Sequence, residues 1–171
     1  MNAPAKLTIG SADDTKLNVI AHYNPKEIDL GLQTQWADEM ALKGMVPDKK
    51  RDKERDIVHD IQYTGSPARS MSLELFLDYY EAPYEGPRES VEAIVHRLQI
   101  LASPRDEHSD EPHLRRPHMC LVAWGSGKPA FRCVIESLAV KFTMFSSDGT
   151  PVRAVCNLKL KEARRRSELR R

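Results

Sequence analysis

Ser70-Met71-Ser72-Leu73-Glu74-Leu75-Phe76-Leu77-Asp78 is the stretch on which the fold turns. From Arg69 to Tyr79 the chain alternates, with Met71, Leu73, Leu75 and Leu77 on one parity and Ser70, Ser72, Glu74, Phe76 and Asp78 on the other. A period of two puts one set on each side of a pleated strand, so the segment reads as a strand with one face on a core. Downstream the period changes. Val91, Ile94, Val95, Leu98 and Leu101 recur at three and four residues, which is an amphipathic helix. Gly86 is expected as its N-cap with Pro87 and Glu89 in the opening turn, and Ser103-Pro104 is expected to end it.

Working outward, Leu17, Val19 and Ala21 alternate through Lys16 to His22, giving an earlier strand that Tyr23-Asn24-Pro25 breaks. A short irregular turn should then carry Ile28, Leu30 and Leu32 inward. Arg105 to Pro117 is polar and proline-containing, hence a loop, and Met119 to Trp124 is an apolar strand ended by Gly125-Ser126-Gly127. Phe131, Cys133 and Ile135 share one parity while Leu138, Val140 and Phe142 take the other. A bulge near Glu136-Ser137 would keep both sets facing the core. Ser147-Asp148-Gly149 turns the chain, and Val152, Ala154, Cys156, Leu158 and Leu160 alternate on the return, making a hairpin. The expected fold is mainly β, an antiparallel barrel or sandwich with one packed helix. Its domain spans residues 1–162, with a charged excursion around 37–65, and residues 163–171 form a basic C-terminal tail.

The chain has 171 residues, 26 Lys plus Arg against 25 Asp plus Glu, and a formal net charge of +1. That balance argues against a uniformly basic polyanion binder. Three cysteines, Cys120, Cys133 and Cys156, are odd in number and sit in apolar strands, so they read as core thiols in a reducing compartment. No stretch approaches the roughly 20 apolar residues of a membrane-spanning helix, and no signal peptide opens the chain. The expectation is cytoplasmic production without membrane insertion.

Candidate chemistry is sparse. His108, His113 and His118 recur every five residues among acidic neighbours, which raises a small metal-dependent hydrolase as an alternative. Their proline-interrupted loop lacks the fixed spacing of CxxC or HExxH sites, however, and no metal is expected. Glu74 and Asp78 share a strand face and could form an acid/base pair, but two carboxylates on a half-exposed face are commonplace. There is no GxxxxGKS/T and no GxGxxG after a strand, so neither a cofactor nor a small-molecule ligand is expected. The basic tail makes a nucleic-acid-associated protein the other alternative, although aromatic residues are too scattered for a base-stacking platform and no nucleic acid is expected as a partner. The remaining candidates are protein contacts: Lys49, Lys50, Arg51, Lys53 and Arg55 in the run Asp48 to Asp56, and Arg164, Arg165, Arg166, Arg170 and Arg171 in the tail.

Four phrases add a resemblance: Tyr23-Asn24-Pro25, Leu73-Glu74-Leu75-Phe76-Leu77-Asp78, Pro117 leading into Val122-Ala123-Trp124-Gly125, and Phe145-Ser146-Ser147-Asp148-Gly149-Thr150-Pro151-Val152-Arg153-Ala154. In that order, from about residue 17 to 162, they resemble the tube-type N-terminal domain of the baseplate adaptor in contractile injection systems, which are phage-tail-like particles. The resemblance implies a non-enzymatic structural subunit related to tail-tube proteins, joining inner tube, central spike and baseplate. It implies a self-associated ring, of six copies to match the tube, and location in a particle released by lysis or anchored to the cell. The LysM module that usually follows this domain is not expected here, since the sequence ends at Arg171.

Overall fold

The computed structural model describes residues 5–38, 61–65, 68–80, 89–112, 114–125 and 131–163. Two compact units divide the chain, residues 1–30 with 70–171, and residues 31–69. In chain order the strands are β1 (Thr8–Ser11), β2 (Asn18–Ile20), β3 (Ile28–Gly31), β4 (Gln35–Asp38), β5 (Ile61–Gly65), β6 (Ser70–Asp78), β7 (Cys120–Ala123), β8 (Phe131–Phe145) and β9 (Pro151–Glu162). Helix α1 (Val91–Ala102) lies between β6 and β7. In the smaller unit β4 and β5 pair antiparallel, with an irregularity between Gln35 and Trp36.

The larger unit is a seven-stranded sheet in the order β2-β1-β7-β8-β9-β6-β3. The alternation of β6 is realised in a nine-pair antiparallel ladder with β9, from Ser70 opposite Lys161 to Asp78 opposite Arg153. Met71, Leu73, Leu75 and Leu77 therefore share a face with Ala154, Cys156, Leu158 and Leu160, and all are buried. On that face lies α1, whose Val91, Ile94, Val95, Leu98 and Leu101 are buried against β8, β9 and β2. The sheet is mainly antiparallel as expected and does not close into a barrel: β2 and β3 are its two ends.

The expected bulge is present, since the β8–β9 register shifts between Ile135 and Ser137. Cys133 and Ile135 before it are buried, and Leu138 and Val140 after it pack on the core, whereas Phe142, expected to face the core with them, is exposed toward the end of the strand. At the hairpin tip the Ser146 N–H donates to the Thr150 carbonyl and the Gly149 N–H to the Ser146 carbonyl. Gly149 has φ 86°, a conformation in which a side chain would strain the backbone.

Some expectations are corrected. The N-cap of α1 is Ser90, whose Oγ accepts from the Ala93 N–H at 3.2 Å; Gly86 and Pro87 lie outside the described residues. A serine here presents a side-chain acceptor to an orphan N–H of the first turn. Ser103 does end the helix. Leu30 and Leu32 are exposed and only Ile28 packs on the core, because β3 is the last strand of the sheet and reaches the core only at its start. Strand β1 was not expected. Its Ile9, and Leu7 just before it, are fully buried because β1 sits between β2 and β7, and the Asn24 side chain holds the chain entering it: Oδ1 accepts from the Leu7 N–H at 2.9 Å and Nδ2 donates to the Ala5 carbonyl at 3.0 Å. The Tyr23-Asn24-Pro25 phrase is thus a side-chain clamp on the first strand.

Candidate functional site

The β8–β9 hairpin determines the surface of greatest interest. β8 is 15 residues long, but β7 pairs with it only through Phe131, Arg132 and Cys133. Beyond Cys133 the side of β8 that faces away from β9 has no strand partner among the described residues, over roughly 40 Å at about 3.4 Å per residue. Which groups it presents follows from the ladder. The Ala163 N–H donates to the Arg132 carbonyl, so alternate β8 residues turn their N–H and C=O toward β9. Carried through the bulge along the register, this gives Ser137, Ala139 and Lys141 to β9 and leaves Leu138, Val140 and Phe142 pointing to the open side. Three donors and three acceptors stand ready for another strand.

Side chains on this segment do little to block such pairing. Lys141 is the lone lysine between Val134 and Phe145, and the register is regular from Ser137 to Phe142, between the bulge at Ile135/Ser137 and the shifts at Phe142/Met144 and Met144/Phe145. Phe142 and Phe145 are 39% and 56% exposed, with ring centroids 6.4 Å apart. Native sheets usually protect such an edge with charge, proline or a covering segment.

Two polar clusters brace the sheet. At one, Asp78 is buried, not solvated as its parity suggested, because Arg153 across the ladder donates to Oδ2 from Nη2 at 2.7 Å and from Nε at 3.1 Å. The Arg153 guanidinium also lies 5.7 Å from the Phe76 ring centre, and Phe76 tilts against Tyr23 at 5.6 Å. Glu74 is exposed, so it shares no acid/base site with Asp78. At the other, Asp13 takes two bonds from Arg116, at 2.9 and 3.0 Å, and one from the Met119 N–H at 2.8 Å. The Arg116 hydrogen bond is the main cause that holds the Asp13 carboxyl down at about 2, below its usual 3.8. Next to it Ser11 Oγ lies 2.9 Å from His118 Nδ1, both residues buried.

The histidines do not converge on a site. His118 is buried against Ser11, His108 is exposed with its N–H on the Asp106 carboxylate, and His113 lies outside the described residues. No group of three or more metal-ligating side chains occurs among the described residues. Cys120, Cys133 and Cys156 are free, fully buried thiols, and burial pushes them up to about 12, 12 and 11. An open groove of about 370 Å³ between β3, β6 and β9 is lined by Lys26, Glu27, Asp29, Glu74 and Lys159, charges of mixed sign. The expected contact residues Lys49, Lys50, Arg51, Lys53, Arg55, Arg164, Arg165, Arg166, Arg170 and Arg171 lie outside the described residues.

Sequence reasoning missed the Asp13–Arg116 pair, whose members are 103 residues apart, and the Ser11–His118 bond, 107 apart. No local pattern could have joined them. The open edge had a signal in the length of the apolar alternation from Phe131 to Phe145, far longer than the strand Met119 to Trp124 available to cover it.

An antiparallel sheet with a helix on one face and a long open strand edge defines a protein whose distinctive surface is suited to joining other sheets. By sequence the chain belongs to the family of contractile injection system tube proteins, which it matches over residues 4–171. Its role is accordingly structural, within such a system. No curated protein matches the chain.

Proposed function

We propose that this chain is the ring-forming adaptor at the junction of inner tube, central spike and baseplate in a contractile particle. The observation that carries the reading is the open side of β8 from Val134 to Phe145, in a member of the tube protein family. Each copy offers the Leu138, Val140 and Phe142 backbone to the sheet of the next copy. A head-to-tail contact of this kind makes a closed ring when its rotation closes, and six copies would match the tube. The charged run Asp48 to Asp56 and the basic tail from Arg164 are then the candidates for contacts to adjacent layers. Assembly takes place in the cytoplasm, and the finished subunit leaves with the particle.

Gold-labelled antibody against a tagged copy, imaged on purified particles, tests the position. Label confined to the baseplate end of the tube supports the adaptor role. Label along the whole tube overturns it and makes the chain a stacking tube subunit. Deleting the gene should leave particles absent or without a finished baseplate, and unchanged particles would count against any essential place in assembly.

A further inference from the structure

The hydrogen-bond capacity of Ser11 is fully used. Its Oγ accepts the N–H of Asp13 and of Asp14, each at 3.0 Å, which occupies both lone pairs of a hydroxyl oxygen. The hydroxyl hydrogen is left for His118 Nδ1 at 2.9 Å. His118 must therefore be an acceptor at Nδ1, which makes it the neutral tautomer with its proton on Nε2. Around this contact the chain crosses between two segments: the Ser11 N–H donates to the Leu17 carbonyl within the β1–β2 turn, and the Ala12 N–H donates to the Met119 carbonyl at the entrance to β7.

We propose that Ser11 and His118 form an acid-opened latch that holds the β1–β2 turn against the segment leading into β7. Protonation puts a hydrogen on Nδ1, and Ser11 then faces three donors with two lone pairs. One contact has to go, and the turn loosens from its hub.

The charged and titratable groups facing the imidazole come from every element around it. Asp13 and Asp14 belong to the β1–β2 turn, Arg105 and Arg116 to the segment after α1, and the Cys120 thiol, at the start of β7, donates to the His118 carbonyl at 3.6 Å. Burial is the largest influence and lowers the imidazole below its ordinary 6.5; Arg105 and Arg116 lower it further, while Asp13 and Asp14 oppose them. A histidine that binds its proton less readily folded than unfolded contributes stability that is complete above about pH 6.5 and is lost as the pH falls below it. Asp13 stays ionised through that range, so its bonds to Arg116 persist and the opening is local to the turn.

Amide exchange and ¹⁵N imidazole shifts, measured by NMR on the full chain at pH 7.5 and pH 5, test the latch. At pH 7.5 the His118 shifts should identify the Nε2–H tautomer. After correction for intrinsic rates, protection of the Asp13 and Asp14 amides should fall as the ¹⁵N shifts report His118 protonation, by roughly tenfold when it is complete, the scale of one lost hydrogen bond. His118→Asn, which keeps an uncharged acceptor, should abolish that pH response, and Ser11→Ala should remove the step. An Nδ1–H tautomer at neutral pH overturns the proposal, as does an equal loss of protection in His118→Asn or no loss in the wild type.

Discussion

Phe142→Pro separates the fold of one subunit from the joining of two. The Phe142 backbone lies at a β8 position whose N–H points away from β9, so proline removes no bond from the sheet described here. The side chain is 39% exposed and leans on Phe145, so its loss should destabilise the monomer by only about 1 kcal/mol. Pairing is affected more. An added strand would use the donors and acceptors of Leu138, Val140 and Phe142, each worth about 1 kcal/mol net, and proline both deletes one donor and holds its ring in the incoming strand's path. A loss of roughly 1–3 kcal/mol per contact corresponds to an association about fivefold to 150-fold weaker. Sedimentation velocity over a concentration series reads that change, with thermal unfolding at low concentration as the check on the monomer. Phe142→Ala keeps the N–H and isolates the contribution of the aromatic ring. Lys141→Pro, one residue earlier, removes an N–H that faces β9 and should instead unfold the hairpin. If Phe142→Pro associates as well as the wild type, or if Phe142→Ala loses as much, backbone pairing along this side of β8 is refuted as the joining contact.

Two further outcomes follow from the buried groups. Because Asp13 is held at about 2 against an ordinary 3.8, its carboxylate contributes about 2 kcal/mol that is present above pH 4 and lost as the pH falls toward 2. Urea titrations should show Asp13→Asn less stable than the wild type at pH 7 and indistinguishable from it near pH 2; a constant gap across that range would refute the assignment. The three thiols, fully buried and pushed to about 12, 12 and 11, should resist a charged disulfide reagent at pH 8 in the native protein and all react in strong denaturant. Native reaction within minutes would show that the β7–β8–β9 region of the core opens far more readily than its packing implies.

What the sequence made legible was whatever repeats locally. Met71 to Leu77, Val152 to Leu160 and the helical spacing of Val91 to Leu101 are each set by one face of one element, and all three sets are buried. Even the bulge at Glu136 was visible, because the apolar parity changes there and both sets have to meet one core. β1 was hidden because Leu7 and Ile9 are followed by Gly10 and Ser11, too short an alternation to stand out. Its order comes from β2, β7 and the Asn24 clamp, which are brought to it by the fold. Asp78 was assigned to solvent by parity, yet Arg153, 75 residues away, makes a buried ion pair of it. The choice between barrel and sandwich stayed open in the sequence for the same reason: whether two ends of a sheet meet depends on the whole strand order, and no period in any one strand records it.

The hairpin is also longer than its own core requires. Leu138 and Val140 are partly covered, but farther along β8 Phe142 and Phe145 are exposed, although Ala154 and Val152 on the adjacent strand are buried. Within a monomer, burial gives phenylalanine only a small advantage over a polar residue at those two sites, and an uncovered apolar edge is a hazard for misassembly. Aromatic side chains beside an unpaired backbone edge make physical sense when another chain supplies both the hydrogen bonds and the cover. In a tube-family protein the neighbouring subunit meets that requirement, and it predicts that Phe142 and Phe145 lose solvent together with the Leu138, Val140 and Phe142 amides when subunits join. Hydrogen exchange on isolated and assembled protein would then show protection appearing along β8 as one block. Protection elsewhere, with the β8 amides still exchanging freely, would mean that another surface joins the copies.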